Sequence, residues 1–268
     1  MVFRNDDIMF VLETVREAGD AAREMQRRLI QIRKKEDGSI ITDADLMAQA
    51  LIEQKLSNRF SNAFFIHEEG FSKVSDPIGD NTLCIIIDPI DGTAMYRMGL
   101  PEWCVSVGVF HGFTPRYGFV YSPGSGLMFH NDDENAYLNG EVRRVERETA
   151  IDRETSLFIA SEAYRSFHID FPGKVRNLGS TALQACLIVD NGRNQSIAFI
   201  GKSNLWDWAG AIPILTTAGA SLRYIDGREV SFAEVMKEDC VMPEYLIAFA
   251  GANFETVRSW FVRHEHRR

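Results

Sequence analysis

An α+β protein is expected from this chain of 268 residues. Two long stretches of helical periodicity open it, a series of short β-type runs joined by Gly- and Pro-containing turns follows, and beyond about Ile151 strands and helices alternate. The adjacency of the middle runs favours an antiparallel meander, whereas the later alternation is an α/β rhythm. We therefore divide the chain into an N-terminal α+β half, residues 1–145, and a C-terminal α/β half, residues 146–268.

From Asp6 to Ile30, residues Ile8, Val11, Leu12, Val15, Ala18, Ala22, Met25 and Leu29 recur at helical spacing, so a long amphipathic helix is predicted with its stripe against a sheet. Lys34 to Ser39 reads as a charged turn. Thr42 or Asp43 is a good N-cap for a second helix through Met47, Leu51, Ile52 and Leu56, with Asp45 in its first turn. Strands are predicted at 63–66, 83–87, 103–110, 116–121 and 127–130, and Asn139-Gly140 marks a two-residue hairpin between 136–138 and 142–145. The second half reads as a strand at 157–160, a helix, a helix at 180–189, a strand at 196–199, a helix at 207–217, strands at 221–225 and 246–250, and a last helix from Asn253. Gly70 to Asn81, rich in Gly, Ser, Asp and Pro, is the expected mobile loop.

With 45% apolar and 11% aromatic residues the chain can bury a large core. No apolar run approaches the ~18 residues of a membrane span, and Met1 to Asp7 lacks a secretory profile, so a cytoplasmic protein without membrane contact is expected. Cys84, Cys104, Cys186 and Cys240 form no Cys-x-x-Cys pair and read as reduced structural thiols. A net charge of −9 argues against a nucleic-acid partner, the basic patches Arg143-Arg144 and Arg263 to Arg268 being short. An acidic chain acting on an anion must create positive potential locally, which bound Mg²⁺ does.

The densest chemical signal is Asp88-Pro89-Ile90-Asp91-Gly92-Thr93, directly after the apolar run Leu83 to Ile87. A buried strand would deliver both carboxylates into one cleft at its end. Two like charges so close need a shared proton or a cation, and a hard divalent ion takes oxygen ligands. After the break at Pro89, Gly92 and Thr93 are placed to offer backbone N–H groups to an anion. The same stretch also reads as an Asx-turn after a strand. Three further acidic positions bear on the choice: Glu68-Glu69 follows the run at 63–66, Asp45 opens the second helix, and Asp207 opens a later one. Asp45 and Asp207 taken singly read equally as helix caps, and Glu68-Glu69 as a solvated pair.

Taken together, Thr42-Asp43-Ala44-Asp45, Glu68-Glu69, Asp88 to Thr93, Gly99-x-Pro101 with Val105 to Gly108, Gly118 to Pro123, Gly179-Ser180-x-Ala182-Leu183 and Trp206-Asp207-x-Ala209-Gly210 stand in the order seen in one family. The chain resembles the inositol monophosphatase family, which is related to fructose-1,6-bisphosphatases and bisphosphate nucleotidases. The resemblance covers nearly the whole chain and implies a layered αβαβα sandwich and a Mg²⁺-dependent phosphomonoesterase acting on a small phosphorylated polyol, sugar or amino alcohol. It implies that Glu68, Asp88 and the Ile90 carbonyl hold one Mg²⁺, that Asp88, Asp91 and Asp207 hold a second, and that Glu69 serves a weaker third position. The implied nucleophile is a cation-activated water, oriented and deprotonated by Thr93 with Asp45 behind it, and Glu68 counts with them as catalytic. Asp91, Gly92, Thr93, Gly179, Ser180, Lys202 and Asp207 are the implied substrate contacts. The resemblance also suggests a homodimer.

The match departs from the family in places. Where inositol-specific relatives carry a Glu before the Trp-Asp motif, this chain has Ile200, and Lys202 nearby suits a second phosphate or a carboxylate. Ala94-Met95-Tyr96 replaces a frequent Thr-Asn-Phe, and His67 stands where Gly commonly precedes the Glu pair. His67 is read as structural or as a neighbour of the site, because Mg²⁺ prefers oxygen. The alternatives are a 3'(2'),5'-bisphosphate nucleotidase, a fructose-1,6-bisphosphatase, a histidinol-phosphate phosphatase, or a non-catalytic relative that binds protein or RNA.

Overall fold

The computed structural model describes residues 3–28, 32–34, 40–71 and 78–264. Helix α1 (Asn5–Gln26) precedes a small antiparallel ribbon, β1 (Ile32–Lys34) and β2 (Ile40–Thr42), which feeds α2 (Asp43–Arg59). The predicted first helix stops at Gln26; its last expected turn, Leu29-Ile30, most of the charged turn and residues 72–77 of the expected mobile loop lie outside the described residues.

Seven strands then build one sheet in sequence order: β3 (Phe64–His67), β4 (Leu83–Asp91), β5 (Cys104–His111), β6 (Thr114–Ser122), β7 (Leu127–Asn131), β8 (Ala136–Leu138) and β9 (Glu141–Arg143). Only β3 and β4 run parallel, and the rest form the meander expected from their short turns. Between β4 and β5 lies the single short turn of α3 (Thr93–Arg97).

The second sheet has the order β12-β10-β13-β15-β14, from β10 (Ser156–Ile159), β12 (Lys174–Arg176), β13 (Ser196–Gly201), β14 (Ser221–Tyr224) and β15 (Leu246–Phe249). A ribbon of β11 (Phe167–Ile169) and β16 (Phe261–Arg263) sits beside it. The helices are α4 (Ala163–Ser166), α5 (Thr181–Cys186) continued by a 3₁₀ turn to Asp190, α6 (Asn191–Asn194), α7 (Leu205–Ala209), α8 (Ala211–Ala218), α9 (Phe232–Lys237) and α10 (Phe254–Ser259). Two expectations change here. The helix predicted over 207–217 is two helices meeting at Gly210, and the segment between β10 and α5 holds two short strands besides a helix, each only three residues long and below the reach of a periodicity argument.

The apolar side chains sort into the layers of an αβαβα sandwich. Val11, Val15, Ala18 and Ala22 of α1 and Ala48 and Ile52 of α2 pack on Ile85, Ile87, Val105 and Val107, one face of the seven-stranded sheet. The opposite face, with Cys84, Ile86 and Val120, meets Ala182 and Leu183 of α5 and Trp208, Ile212 and Leu215 of α7 and α8, which pack in turn on Phe158, Phe199 and Ala248 of the second sheet. Leu157, Ala198, Ile200 and Ile247 face the last layer, where Ala163, Val257 and Trp260 lie. The period-2 alternation of each strand thus feeds two layers, and each fully buried branched side chain contributes about 1.5–3 kcal/mol. Two glycines set how closely the middle helices approach. A Cβ at Gly118 would overlap the Gly210 carbonyl, and one at Gly108 would lie 2.5 Å from the Ala209 carbonyl oxygen, so the α7–α8 junction rests directly on β5 and β6. That contact places the start of α7 over the end of β4.

Candidate active site

Strand β4 is buried along its whole length and carries the aspartates itself rather than just past its end. Asp88 pairs with Ser106 and Asp91 with Cys104, and the register slips between them, where Pro89 has no N–H to give the ladder. The slip turns two residues three apart toward one place. One carboxylate oxygen each of Asp88, Asp91 and Asp207 lie within 4.8 Å of one another. Asp207 arrives from α7, where it is the third helical residue and accepts the Asn204 N–H at 2.8 Å, so it is both a cap and a member of the trio.

Glu68 follows β3, which lies parallel beside β4, and its N–H donates to the Ile87 carbonyl at 3.1 Å. It is outside the tight trio, yet its carboxylate faces Asp88 and bears on Asp207. Burial first, then Glu68, Asp91 and Asp207, push Asp88 well above the ordinary carboxylate range. Asp207 is raised by burial and then by Asp91 and Glu68. Among the described residues, no lysine or arginine is a leading influence on either. Asp88 Oδ1 accepts the Ile90 N–H at 3.1 Å, while Oδ2 is buried with no hydrogen-bond donor. Its neighbour Glu68 is another acceptor when ionised.

Asp91 is held differently. Ser180 Oγ donates to Oδ2 at 2.5 Å, the Ala182 N–H to Oδ2 at 2.6 Å and the Thr181 N–H to Oδ1 at 3.1 Å, with Cys104 Sγ 3.7 Å from Oδ2. Burial raises Asp91, and these donors oppose the rise. Ser180 in turn N-caps α5, accepting the Leu183 N–H at 3.3 Å. Gly179 and Ser180 thus lie against the Asp91-Gly92 turn. Gly92 has φ 96° and Gly179 φ 82°, and a Cβ on Gly92 would meet the Gly179 carbonyl oxygen at 3.2 Å.

Asp45 is fully buried on α2 and accepts both the Thr42 N–H at 2.8 Å and Thr42 Oγ1 at 2.5 Å through Oδ2. Its Oδ1 lies 3.5 Å from Thr93 Oγ1, which donates at 3.0 Å to the Ile90 carbonyl. Burial pushes Asp45 up to about 6, the Thr42 donors opposing and the Glu69 charge adding to the rise. Glu69 itself is buried beside these groups. Lys202 is exposed past the end of β13, while Ile200 is fully buried in the outer apolar layer. His67 points its Nδ1 at the Glu69 carbonyl, 2.7 Å away. Sequence reasoning missed Gln49, whose amide grips the Glu69 backbone; its one available signal is that it lies four residues beyond Asp45 on the same helix face. It also missed the donors to Asp91 supplied by Thr181 and Ala182.

An all-oxygen set of buried carboxylates with an orphaned oxygen, and no cationic side chain recorded against the Asp88, Asp91 and Asp207 trio among the described residues, fits a hard divalent cation. Comparison with known proteins agrees. The sequence profile of the inositol monophosphatase family matches residues 5–258. Inositol monophosphatase 1 of Solanum lycopersicum is 28% identical over 232 residues, 81% of this chain and 84% of that one. The fructose-1,6-bisphosphatase/inositol-1-monophosphatase of Thermotoga maritima is 25% identical over 240 residues, 84% of this chain and 88% of its own. The solved structure of the Thermotoga maritima IMPase superposes with a TM-score of 0.77, covering 95% of this chain and 96% of that one at 25% identity. The chain belongs to the inositol monophosphatase family and is a phosphatase of that metal-dependent group.

Proposed function

We propose that this protein is a Mg²⁺-dependent phosphomonoesterase for a small phosphorylated polyol, sugar or amino alcohol. The observation that carries the reading is the trio of Asp88, Asp91 and Asp207 around one point, with Asp88 Oδ2 buried and lacking a donor. Glu68, Asp88, Asp91, Asp207 and the Ile90 carbonyl would hold two Mg²⁺, with Glu69 at a third, weaker position. When bound, the cations supply positive charge to the phosphoryl group and lower the pKa of water.

The chain's own residues do the rest. The α5 N-terminus fixes Asp91, so the carboxylate does not have to reorganise as charge builds on the phosphate. Gly92 and Thr93, at the start of α3, and Gly179-Ser180 across from them frame the phosphate. Thr93 Oγ1 lies between the Ile90 carbonyl and Asp45, so rotation of the hydroxyl can turn its proton to either. Asp45, raised to about 6, is a base suited to a proton taken near neutral pH.

For the substrate, Ile200 withdraws into the core, which removes any contact with a polyol ring from that position. The exposed Lys202 and the joint name of the Thermotoga relative support a second reading, a substrate with two phosphates. Phosphate release from inositol, sugar, histidinol and nucleoside phosphates and bisphosphates at varied Mg²⁺ tests both. Turnover retained by Asp207→Asn would remove the ligand assignment, and no release from any compound would remove the reading. The four free buried cysteines support a cytoplasmic setting. A homodimer would sediment at twice the 30.3 kDa of the chain. No described helix is long and apolar enough to cross a membrane.

A further inference from the structure

Helix α2 carries two side chains toward the site, one turn apart. Asp45 reaches Thr93, and Gln49, at 9% exposure, reaches the backbone of Glu69. Gln49 Oε1 accepts the Glu69 N–H at 3.1 Å, and its Nε2 donates to the Glu69 carbonyl at 3.0 Å. His67 Nδ1 lies 2.7 Å from the same carbonyl, which assigns the Nδ1–H tautomer from the network. The 3.2 Å separation of Gln49 Nε2 and His67 Nδ1 is then a contact between two donors sharing one acceptor.

These bonds fix the peptide planes on both sides of Glu69. The plane before it sets ψ of Glu68, and together the two set φ and ψ of Glu69, on which the aim of both carboxylates depends. The amide of Glu68 is already fixed on Ile87, so the grip by Gln49 closes the remaining backbone freedom. On the far side the Phe71 ring lies 5.2 Å from that of Trp206, the residue before Asp207. A glutamine suits this position because one side chain supplies a donor and an acceptor side by side. A glutamate there could not donate to the carbonyl while ionised, and would add a charge beside Glu69 and Asp45.

We infer that Gln49, with His67 as the second donor, is a positioning residue for Glu68 that sets the cation affinity of the site. The inference rests on Glu68 being a ligand, as proposed above, and says nothing about which substrate is cleaved. Side chains that orient metal ligands typically control affinity by ~10–100-fold.

The test is calorimetric titration of Mg²⁺ into the full-length wild type, Gln49→Met and His67→Ala, with the Mg²⁺ dependence of phosphate release and the melting temperature measured alongside. Methionine keeps the volume and removes both hydrogen bonds. Gln49→Met is expected to weaken Mg²⁺ binding about tenfold, with kcat at saturating Mg²⁺ within about twofold of wild type. His67→Ala, which leaves Gln49 in place, shows a smaller rise in Kd. Wild type that binds Mg²⁺ alongside a Gln49→Met variant of equal Kd overturns the inference and leaves the ligand reading standing. A lowered melting temperature with unchanged Kd overturns it too, because it marks a purely structural amide. Should Gln49→Met fail to fold, Gln49→Asn, too short to hold both bonds, takes its place under the same criterion. Wild type that binds no Mg²⁺ at all defeats the ligand reading and this inference with it.

Discussion

The two ends of the site are built on opposite plans. At one end Asp88 is pushed well up in pKa by burial first and then by Glu68, Asp91 and Asp207, neighbours that accept rather than donate. At the other end Asp91 is met by donors, three hydrogen bonds from Ser180, Thr181 and Ala182. They lie three residues apart on one strand, yet Asp91 is a structural element of the α5 N-terminus and Asp88 is a cost to the fold. On the reading proposed above, a cation site need not be uniformly strained: the scaffold already satisfies Asp91, and Asp88 would be satisfied by the cation itself.

The largest effect that can break this contrast comes from substituting both ends. Asp88→Asn and Asp91→Ala should each cut phosphate release by about 10³-fold, the scale of losing one preorganised electrostatic contact to the reacting group. Their stabilities in EDTA should move in opposite directions. Asp88→Asn removes a desolvated charge among like charges and should stabilise by about 1–3 kcal/mol. Asp91→Ala leaves a hydroxyl and two N–H groups buried without their acceptor and should destabilise by about 2–4 kcal/mol. Urea unfolding of the two variants checks this, and shifts of the same sign would erase the distinction.

A second prediction extends the contrast to Asp45, which is buried like Asp88 and hydrogen-bonded like Asp91. Burial outweighs its donors, and it titrates at about 6 in the fold against 3.8 as the ordinary value. Between those values the folded chain holds a proton that the unfolded chain has released. The contribution of Asp45 to stability is therefore greatest below about pH 3.8 and falls as pH rises to about 6, by about 3 kcal/mol. Subtracting the pH profile of Asp45→Asn from that of wild type, both without metal, isolates this share. A difference that grows with pH would show that the Thr42 donors prevail over burial. Added Mg²⁺ should act the other way at neutral pH, raising stability by about 2.7 kcal/mol at a hundred times its Kd. A thermal shift that ignores Mg²⁺ would contradict the cation site.

How far the site could be read from sequence follows the same division. The apolar run before Asp88, the helix-start signals at Thr42 and Asp207, and the Asn139-Gly140 turn are local, and the elements they announce are present. For Asp45 and Asp207 the sequence offers two readings, cap or functional group; the structure shows the cap at both, and the functional role stays the proposal made above. Each accepts a cap hydrogen bond through Oδ2, leaving Oδ1 of Asp45 toward Thr93. What the sequence hid is tertiary. The register slip that brings Asp88 and Asp91 together depends on the neighbouring strand, and Gln49 shows nothing until Glu69 is folded against it. The three-residue strands β11, β12 and β16 are stabilised by their partners rather than by any pattern of their own.

The smallest expected effect belongs to Lys202, to which neither plan applies. Lys202 is exposed just past β13, five residues before Asp207, and among the described residues it has no ion-pair partner. A solvated ammonium contacting a second anionic group on the substrate would contribute about 1 kcal/mol, or about fivefold in affinity. Lys202→Ala should therefore raise KM by about fivefold for a bisphosphate and leave kcat and the KM of a monophosphate unchanged. The KM difference should shrink as salt rises from 0.01 to 0.15 M, because the screening length falls from about 30 to 8 Å. Equal KM changes for both substrates would place Lys202 near the scissile phosphate instead, and no change for either would leave it a surface lysine with its charge in water.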